Sequence, residues 1–273
     1  MNRFWSLIFL LIPVLGLAAF VFAIMGWWPL AGAWLPENFS ETGNAIDGLF
    51  SIVHGVTAFF FIGFGVTIAW LIWKYSDDGE TEALYFKSNL KLELLWSIIP
   101  AFILLFLAFY QSQTWDRMRV ARPVVGAGES QELQPPLVRV IARQFAWEFH
   151  YAGRDNQHGT RDDYRVENLL VVPDDETIVL QLESRDVIHS FFVPKLRLKN
   201  DVVPGTIGYT WFKPLARAEM NILCAELCGW GHYKMIARLK IVSRAEFNRW
   251  DKQQQSRLDA PSLVPLAKSR PTP

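Results

Sequence analysis

The chain has 273 residues, with 27 basic and 27 acidic side chains, so no net field directs it to nucleic acid or to an anionic membrane surface. Its length suits one or two domains. Hydrophobic residues make up 51% of it, and they are unevenly spread: residues 4–29, 48–73 and 94–110 hold no charged side chain. A bilayer core takes about 20 apolar residues per helix, so the first part of the chain is a membrane anchor and a soluble enzyme is excluded.

Taken in chain order, the first apolar stretch has two readings. Arg3, the apolar run and Ala31-Gly32-Ala33 fit a secretory signal peptide over residues 1–33, while the length of the run fits an uncleaved first transmembrane helix. Either delivers Trp34 to the outer side. Residues 34–111 then form a transmembrane hairpin, with helices over about 48–73 and 92–111, joined by a polar loop containing SDDGETE. Trp70, Trp73 and Trp96 suit the headgroup region at the inner interface, and Pro100 falls inside the second helix, where it would kink it. Lys74, Lys87 and Lys91 balance Arg117, Arg119 and Arg122, so basic residues do not orient the hairpin.

Residues 112–136, with GAGES and a Pro-Pro pair, read as a linker. From 137 to 243 the pattern becomes that of strands. Ile178, Leu180 and Leu182 alternate with Val179, Gln181 and Glu183, and Ala237, Leu239 and Ile241 alternate with Arg238 and Lys240; this period means strands with one buried face. Further strands are expected at 137–151, 169–172, 187–193, 206–212 and 218–223, separated by Pro173-Asp174-Asp175 and Pro204-Gly205. Short strands at this spacing predict a sandwich or barrel. Ser243 with Glu246 forms a capping box for a short helix to about Gln254, with Phe247 and Trp250 on one face. The rest of 244–273, from Ser256 onward, has four prolines and reads as disordered or partner-bound.

The densest chemistry lies at residues 224–235, CAELCGWGHYKM, which hold both cysteines of the chain. Two thiols, an imidazole and a thioether at fixed offsets are soft and borderline donors that suit copper and not magnesium or calcium. His189, in DVIHSFFVP, offers a second imidazole 35 residues upstream. The bland alternatives are a disulfide between Cys224 and Cys228, or two buried thiols beside an unrelated histidine. Such a copper site belongs outside the cytoplasm, and this orients the hairpin.

A transmembrane hairpin followed by a β-domain with this loop resembles subunit II of cytochrome c oxidases, in the haem–copper oxidase superfamily. The resemblance covers about residues 45–245 and rests on CAELCGWGHYKM and DVIHSFFVP, with LELLWSIIP, RQFAWEFHY and KNDVVPG in support. It implies an all-β cupredoxin-like sandwich carrying the dinuclear copper centre CuA. Cys224 and Cys228 would bridge the pair, His189 and Met235 would complete one copper, and His232 with the backbone carbonyl of Glu226 the other. The Glu226 carboxylate would be free to hold a magnesium or manganese ion at the boundary with subunit I; otherwise it is an exposed loop glutamate. Glu93 would mark the entrance of a proton channel through subunit I, or simply face headgroups. Asp201 would help dock a basic cytochrome c, although Lys195, Arg197 and Lys199 lie close by and Thr206 replaces an arginine common in the family.

The family pattern W-x-W at the electron-receiving surface is here Phe145-Ala146-Trp147. Phenylalanine lacks the indole N–H and is harder to oxidise, so Trp147 and Trp230 become substitute candidates beside Phe145, each otherwise ordinary packing. His54, His150 and His158 stand in no ligand frame. There is no C-x-x-C-H, so the electron donor, a cytochrome c-type protein, is external. The resemblance implies an electron-transfer subunit of a proton-pumping terminal oxidase in the bacterial inner membrane, with oxygen chemistry in subunit I and the copper domain on the periplasmic side. The alternatives are the CuA subunit of a nitric oxide reductase and a membrane-anchored copper-binding protein. Quinol oxidase subunit II lacks the cysteines, and nitrous oxide reductase lacks the membrane hairpin.

Overall fold

A computed structural model of the chain describes residues 2–259, except 78, 81, 83, 86 and 127–130. The chain divides into a helical unit, up to Asn38 and then Gly43–Val120, and a β unit, Phe39–Thr42 and then from Ala121. Of the tail from Ser256 expected to be disordered or partner-bound, residues 256–259 are helical and the rest lies outside the described residues.

Three helices in the first unit are long and apolar enough to cross a membrane: α1 (Asn2–Met25), α2 (Gly43–Lys74) and α3 (Leu90–Trp115). α1 packs along α2 through small residues, the usual way for backbones to approach closely in lipid. A Cβ on Gly65 would lie 2.6 Å from Pro13 and one on Gly16 would lie 3.1 Å from Phe61. Ser6 donates its hydroxyl to the Ala69 carbonyl at 2.7 Å, and Phe20, Trp34, Phe50 and His54 cluster ring against ring. α2 and α3 outrun the expected 48–73 and 92–111 because their ends are polar turns that an apolar count does not register. Asn89 caps α3 by accepting the Leu92 N–H at 3.4 Å. The stretch expected as a linker is also partly regular: a π-helical turn, Asp116–Val120, follows α3, and β1 (Val124–Val125) pairs with β2 (Glu132–Leu133).

In the β unit, ten further strands form two five-stranded sheets. The first contains β3 (Val138–Arg143), β4 (Ala146–Tyr151), β5 (Tyr164–Glu167), β7 (Ile178–Ser184) and β10 (Gly208–Phe212); the second contains β6 (Leu169–Pro173), β8 (His189–Val193), β9 (Leu198–Val202), β11 (Ala218–Cys224) and β12 (Ile236–Val242). The expected alternation holds in β12, where Ala237, Leu239 and Ile241 are buried between more exposed neighbours; in β7 Ile178, Leu180 and Leu182 are fully inaccessible as expected, but Val179, expected on the opposite face, is fully buried as well. Trp147, Phe149, Phe191 and Ile222 complete the core. Fully burying one such side chain contributes about 1.5–3 kcal/mol, and this core holds in place the strands that flank residues 224–235.

Two corrections concern the strands. Residues 137–151 were expected as one strand but form an antiparallel hairpin turning at Gln144 and Phe145. The stretch has no Gly, Pro, Asn or Asp; the turn is held from elsewhere in the chain by Asp186, whose carboxylate accepts the Gln144 N–H at 2.7 Å. β5 and β9 were not anticipated. Both lie at sheet edges, where charged side chains such as Arg165, Glu167, Lys199 and Asp201 blunt the apolar pattern and discourage further pairing. The Phe39–Thr42 segment joins the β unit through Ser40, whose hydroxyl donates to the Leu196 carbonyl at 2.7 Å.

The capping box forms as expected: Ser243 N–H donates to Glu246 at 3.0 Å and Glu246 N–H to the Ser243 hydroxyl at 3.3 Å. The helix it starts, α4 (Arg244–Asp259), extends five residues beyond Gln254, because DKQQQSRL contains no breaker. Its Trp250 packs edge-on against Tyr151, with ring centroids 5.1 Å apart.

Candidate metal centre

Three strand ends converge on one pocket. β8 begins with His189, β11 ends with Cys224, and the loop from Ala225 to Met235 returns the chain to β12. Cys224 pairs with Phe191 across the β11–β8 ladder, so the two ligand-bearing strands are joined by backbone hydrogen bonds. The donors gather around the two sulfurs. Cys224 Sγ lies 3.8 Å from His189 Nδ1 and 3.2 Å from the Glu226 carbonyl oxygen. Cys228 Sγ lies 3.6 Å from His232 Nδ1 and 3.8 Å from Met235 Sδ. The sulfurs are 3.9 Å apart, far beyond the roughly 2.05 Å of a disulfide bond, so both thiols are free and the disulfide alternative falls.

This pocket fits copper on its donor chemistry. Two imidazoles, a thioether and one carbonyl gather about the two thiols, and among the described residues no carboxylate joins the His189, Cys224 and Cys228 cluster. His189 is fully buried, Met235 is 1% exposed and Cys228 is 3% exposed, so these three are shielded from water, while Cys224 and His232 are half-buried. Burial opposes ionisation of Cys224, but His189 and backbone groups at Ser190 and Glu226 outweigh it and lower its pKa to about 6. Burial, and then the neighbouring Cys224, push Cys228 up to about 12. The pocket therefore takes a first negative charge more readily than a second, and binding a cation to the thiolates would release protons.

Asp186 supports the pocket from outside. Its Oδ1 accepts from His189 Nε2 at 2.8 Å and from the Val187 N–H at 2.7 Å. Burial works against its charge, yet these bonds and the Gln144 N–H hold its carboxyl below the usual range. The Gln144 side-chain amide donates to the Cys228 carbonyl. Sequence reading passed over both residues, although Asp186 stands three positions before His189 in DVIHS.

The aromatic candidates separate clearly. Trp230 is 80% exposed and stands edge-on to Phe145 with centroids 5.1 Å apart. Phe145 packs onto the loop at Gly231, where a Cβ would come within 2.5 Å of its ring, and at Gly229, whose φ is +137°. Trp147 is fully buried, edge-on to His189 at 6.2 Å and to Phe191 at 5.4 Å; it is part of the core and cannot touch a donor. Glu226 and Glu93 are exposed. Glu93 sits in the first turn of α3, where a carboxylate also complements the helix dipole. Asp201 is already engaged by the Ser190 hydroxyl at 2.7 Å and by Lys199 at 3.2 Å. His150 meets Glu148 and His158 meets the Pro136 carbonyl.

Two domain families match the chain. Residues 137–242 match the cytochrome c oxidase subunit II periplasmic domain, and residues 31–113 match the subunit II transmembrane domain. Among curated proteins, the chain is 31% identical to cytochrome c oxidase subunit 2 of Thermostichus vulcanus, over 86% of this chain and 83% of that one. It is 26% identical to the alternative cytochrome c oxidase subunit 2 of Bradyrhizobium diazoefficiens, over 92% of each. A crystal structure of the periplasmic domain of subunit II from Bradyrhizobium japonicum is 25% identical, with a TM-score of 0.39, covering 44% of this chain and 93% of that one. The family implies a copper site, and His189, Cys224 and Cys228 bring their ligand atoms within 4.8 Å of one another. The chain belongs to the cytochrome c oxidase subunit II family, a membrane-bound component of a terminal oxidase with its β unit on the periplasmic side.

Proposed function

We propose that this chain is the electron-receiving subunit of a proton-pumping oxidase, taking electrons from a cytochrome c-type donor and delivering them to haem in subunit I for reduction of O2 to water. The observation that carries this reading is the gathering of four further donors around Cys224 and Cys228, which themselves lie 3.9 Å apart. His189 and Met235 would serve one copper of a CuA pair, and His232 with the Glu226 carbonyl the other. When bound, the pair supplies one-electron transfer with little rearrangement. The protein's part is to hold the ligands still: β8, β11 and β12 meet at the pocket, and Met235 and His189 are packed in the core. With its carbonyl turned to Cys224, Glu226 leaves its carboxylate in solvent, and we assign to it a magnesium or manganese ion at the boundary with subunit I.

The full-length protein, purified from membranes with the oxidase, tests the reading. One unpaired electron shared by two copper nuclei gives a seven-line hyperfine pattern at two coppers per chain. A four-line pattern from one exchangeable copper would instead identify a copper-binding protein, and turnover of nitric oxide in place of O2 would identify a nitric oxide reductase.

Glu93 is assigned to proton entrance. Glu93→Gln should slow haem-linked turnover by the roughly 10²–10⁴-fold range of general acid–base steps and leave the copper signal unchanged. Unchanged proton-coupled kinetics would return Glu93 to a helix-dipole role.

A further inference from the structure

We propose that Asp186 is a positioning residue that locks the copper ligand His189 and the aromatic electron contact Phe145 into one rigid frame. This rests on the CuA reading above. One carboxylate reaches both sides: Oδ1 accepts from His189 Nε2 at 2.8 Å, and Oδ2 accepts from the Gln144 N–H at 2.7 Å. A carboxylate only accepts, so Nε2 carries the proton and Nδ1, 3.8 Å from Cys224 Sγ, is left with its lone pair toward the pocket. Carboxylate partners of this kind fix a ligand's ring orientation and raise its basicity. On the other side, Gln144 precedes Phe145 at the tip of the β3–β4 hairpin, and its side-chain amide reaches the Cys228 carbonyl. The turn is thereby tied to one ligand through Asp186 and to another through Gln144.

Asp186 is itself held. The adjacent Arg185 N–H donates to the Ala142 carbonyl at 3.0 Å, and its guanidinium meets the buried Glu148 carboxylate at 3.0 Å. Glu148 also binds Arg143 at 2.8 Å, the last residue of β3 before the turn. The two ends of the frame therefore share one ion network. The hairpin tip needs this brace because nothing in its own sequence forms a tight turn.

Asp186→Asn separates the two functions. The amide oxygen can still accept from His189, but the amide nitrogen cannot accept the Gln144 N–H, and the negative charge is gone. In the intact oxidase, copper affinity should fall by about 10–100-fold, the usual effect of mutating an outer-shell partner, because the hydrogen bond to His189 loses its charge. The midpoint potential should rise, because a less basic His189 stabilises the oxidised centre less. Gln144→Ala keeps the carboxylate and loses only the side-chain bond to Cys228; it should leave the potential nearly unchanged while slowing reduction by cytochrome c. Wild-type potential, copper affinity and donor kinetics in Asp186→Asn would overturn the proposal while leaving CuA intact. Absence of a dinuclear signal from the wild-type protein would instead sink the CuA reading itself. If Asp186→Asn does not assemble, Asp186→Glu, which keeps charge but displaces it, must change the hyperfine splitting of the His189 nitrogen for the proposal to stand.

Discussion

Replacing Cys228 with serine should abolish the dinuclear copper signal and lower donor-driven O2 uptake by more than the roughly 10–100-fold that loss of an outer-shell partner costs a metal site. Cys228 is the more deeply buried of the two thiols, and Cys224, His232 and Met235 all lie within 3.9 Å of its sulfur. A hydroxyl is a poor donor for copper and is not ionised at neutral pH. The thiol is 3% exposed, so serine also buries a polar group, at about 1–3 kcal/mol if unpaired. That is small beside the stabilisation of a whole sandwich, and the fold should survive. Copper analysis with electron paramagnetic resonance checks this. A Cys228→Ser protein that keeps two coppers and the seven-line pattern would show that Cys228 does not bridge.

Trp230→Ala should produce the second-largest loss, on a different observable. The copper spectrum should be unchanged, while the second-order rate of reduction by cytochrome c should fall about 30-fold, equivalent to about 2 kcal/mol for loss of a central aromatic contact. Trp230 is the exposed member of the pair and Phe145 the half-buried one leaning on the copper loop. Together they present an aromatic surface where the family pattern would have a single exposed tryptophan. Stopped-flow reduction separates contact from conduction. If Trp230→Phe restores the rate, an aromatic face suffices; if it does not, the indole N–H contributes to docking. Asp201→Asn is the internal comparison. Its carboxylate is already paired with Lys199 at the surface, where such pairs contribute little, so a change of more than a few-fold would move the docking site toward β9.

The opposite results in the helical and β units show what a linear pattern can carry. Hydropathy located the spans because a membrane helix satisfies its own backbone and needs only length and apolarity; it missed their ends, where Asn89 caps α3 and polar turns extend α2. Strand alternation located Ile178–Ser184 and Ile236–Val242, although Val179 in the first is buried on the face expected to be open. It failed at residues 137–151, where both β3 and β4 are buried almost throughout and the turn between them depends on Asp186.

At the site, the amino-acid sequence alone supplied the soft donors and with them the expectation of copper. Cys224, Cys228, His232 and Met235, with His189 upstream, stand out by chemical softness and spacing, both properties of the linear chain, whereas Glu226 enters only through the family resemblance. The tertiary structure decided everything that depends on which side chain faces what. It buried Trp147 against His189, left Trp230 exposed on Phe145, paired Asp201 with Lys199, and brought Asp186 under two segments that sequence separation keeps apart. The physical reason is that metal preference belongs to the donor atoms themselves. Exposure and second contacts arise only when two sheets close on a common core.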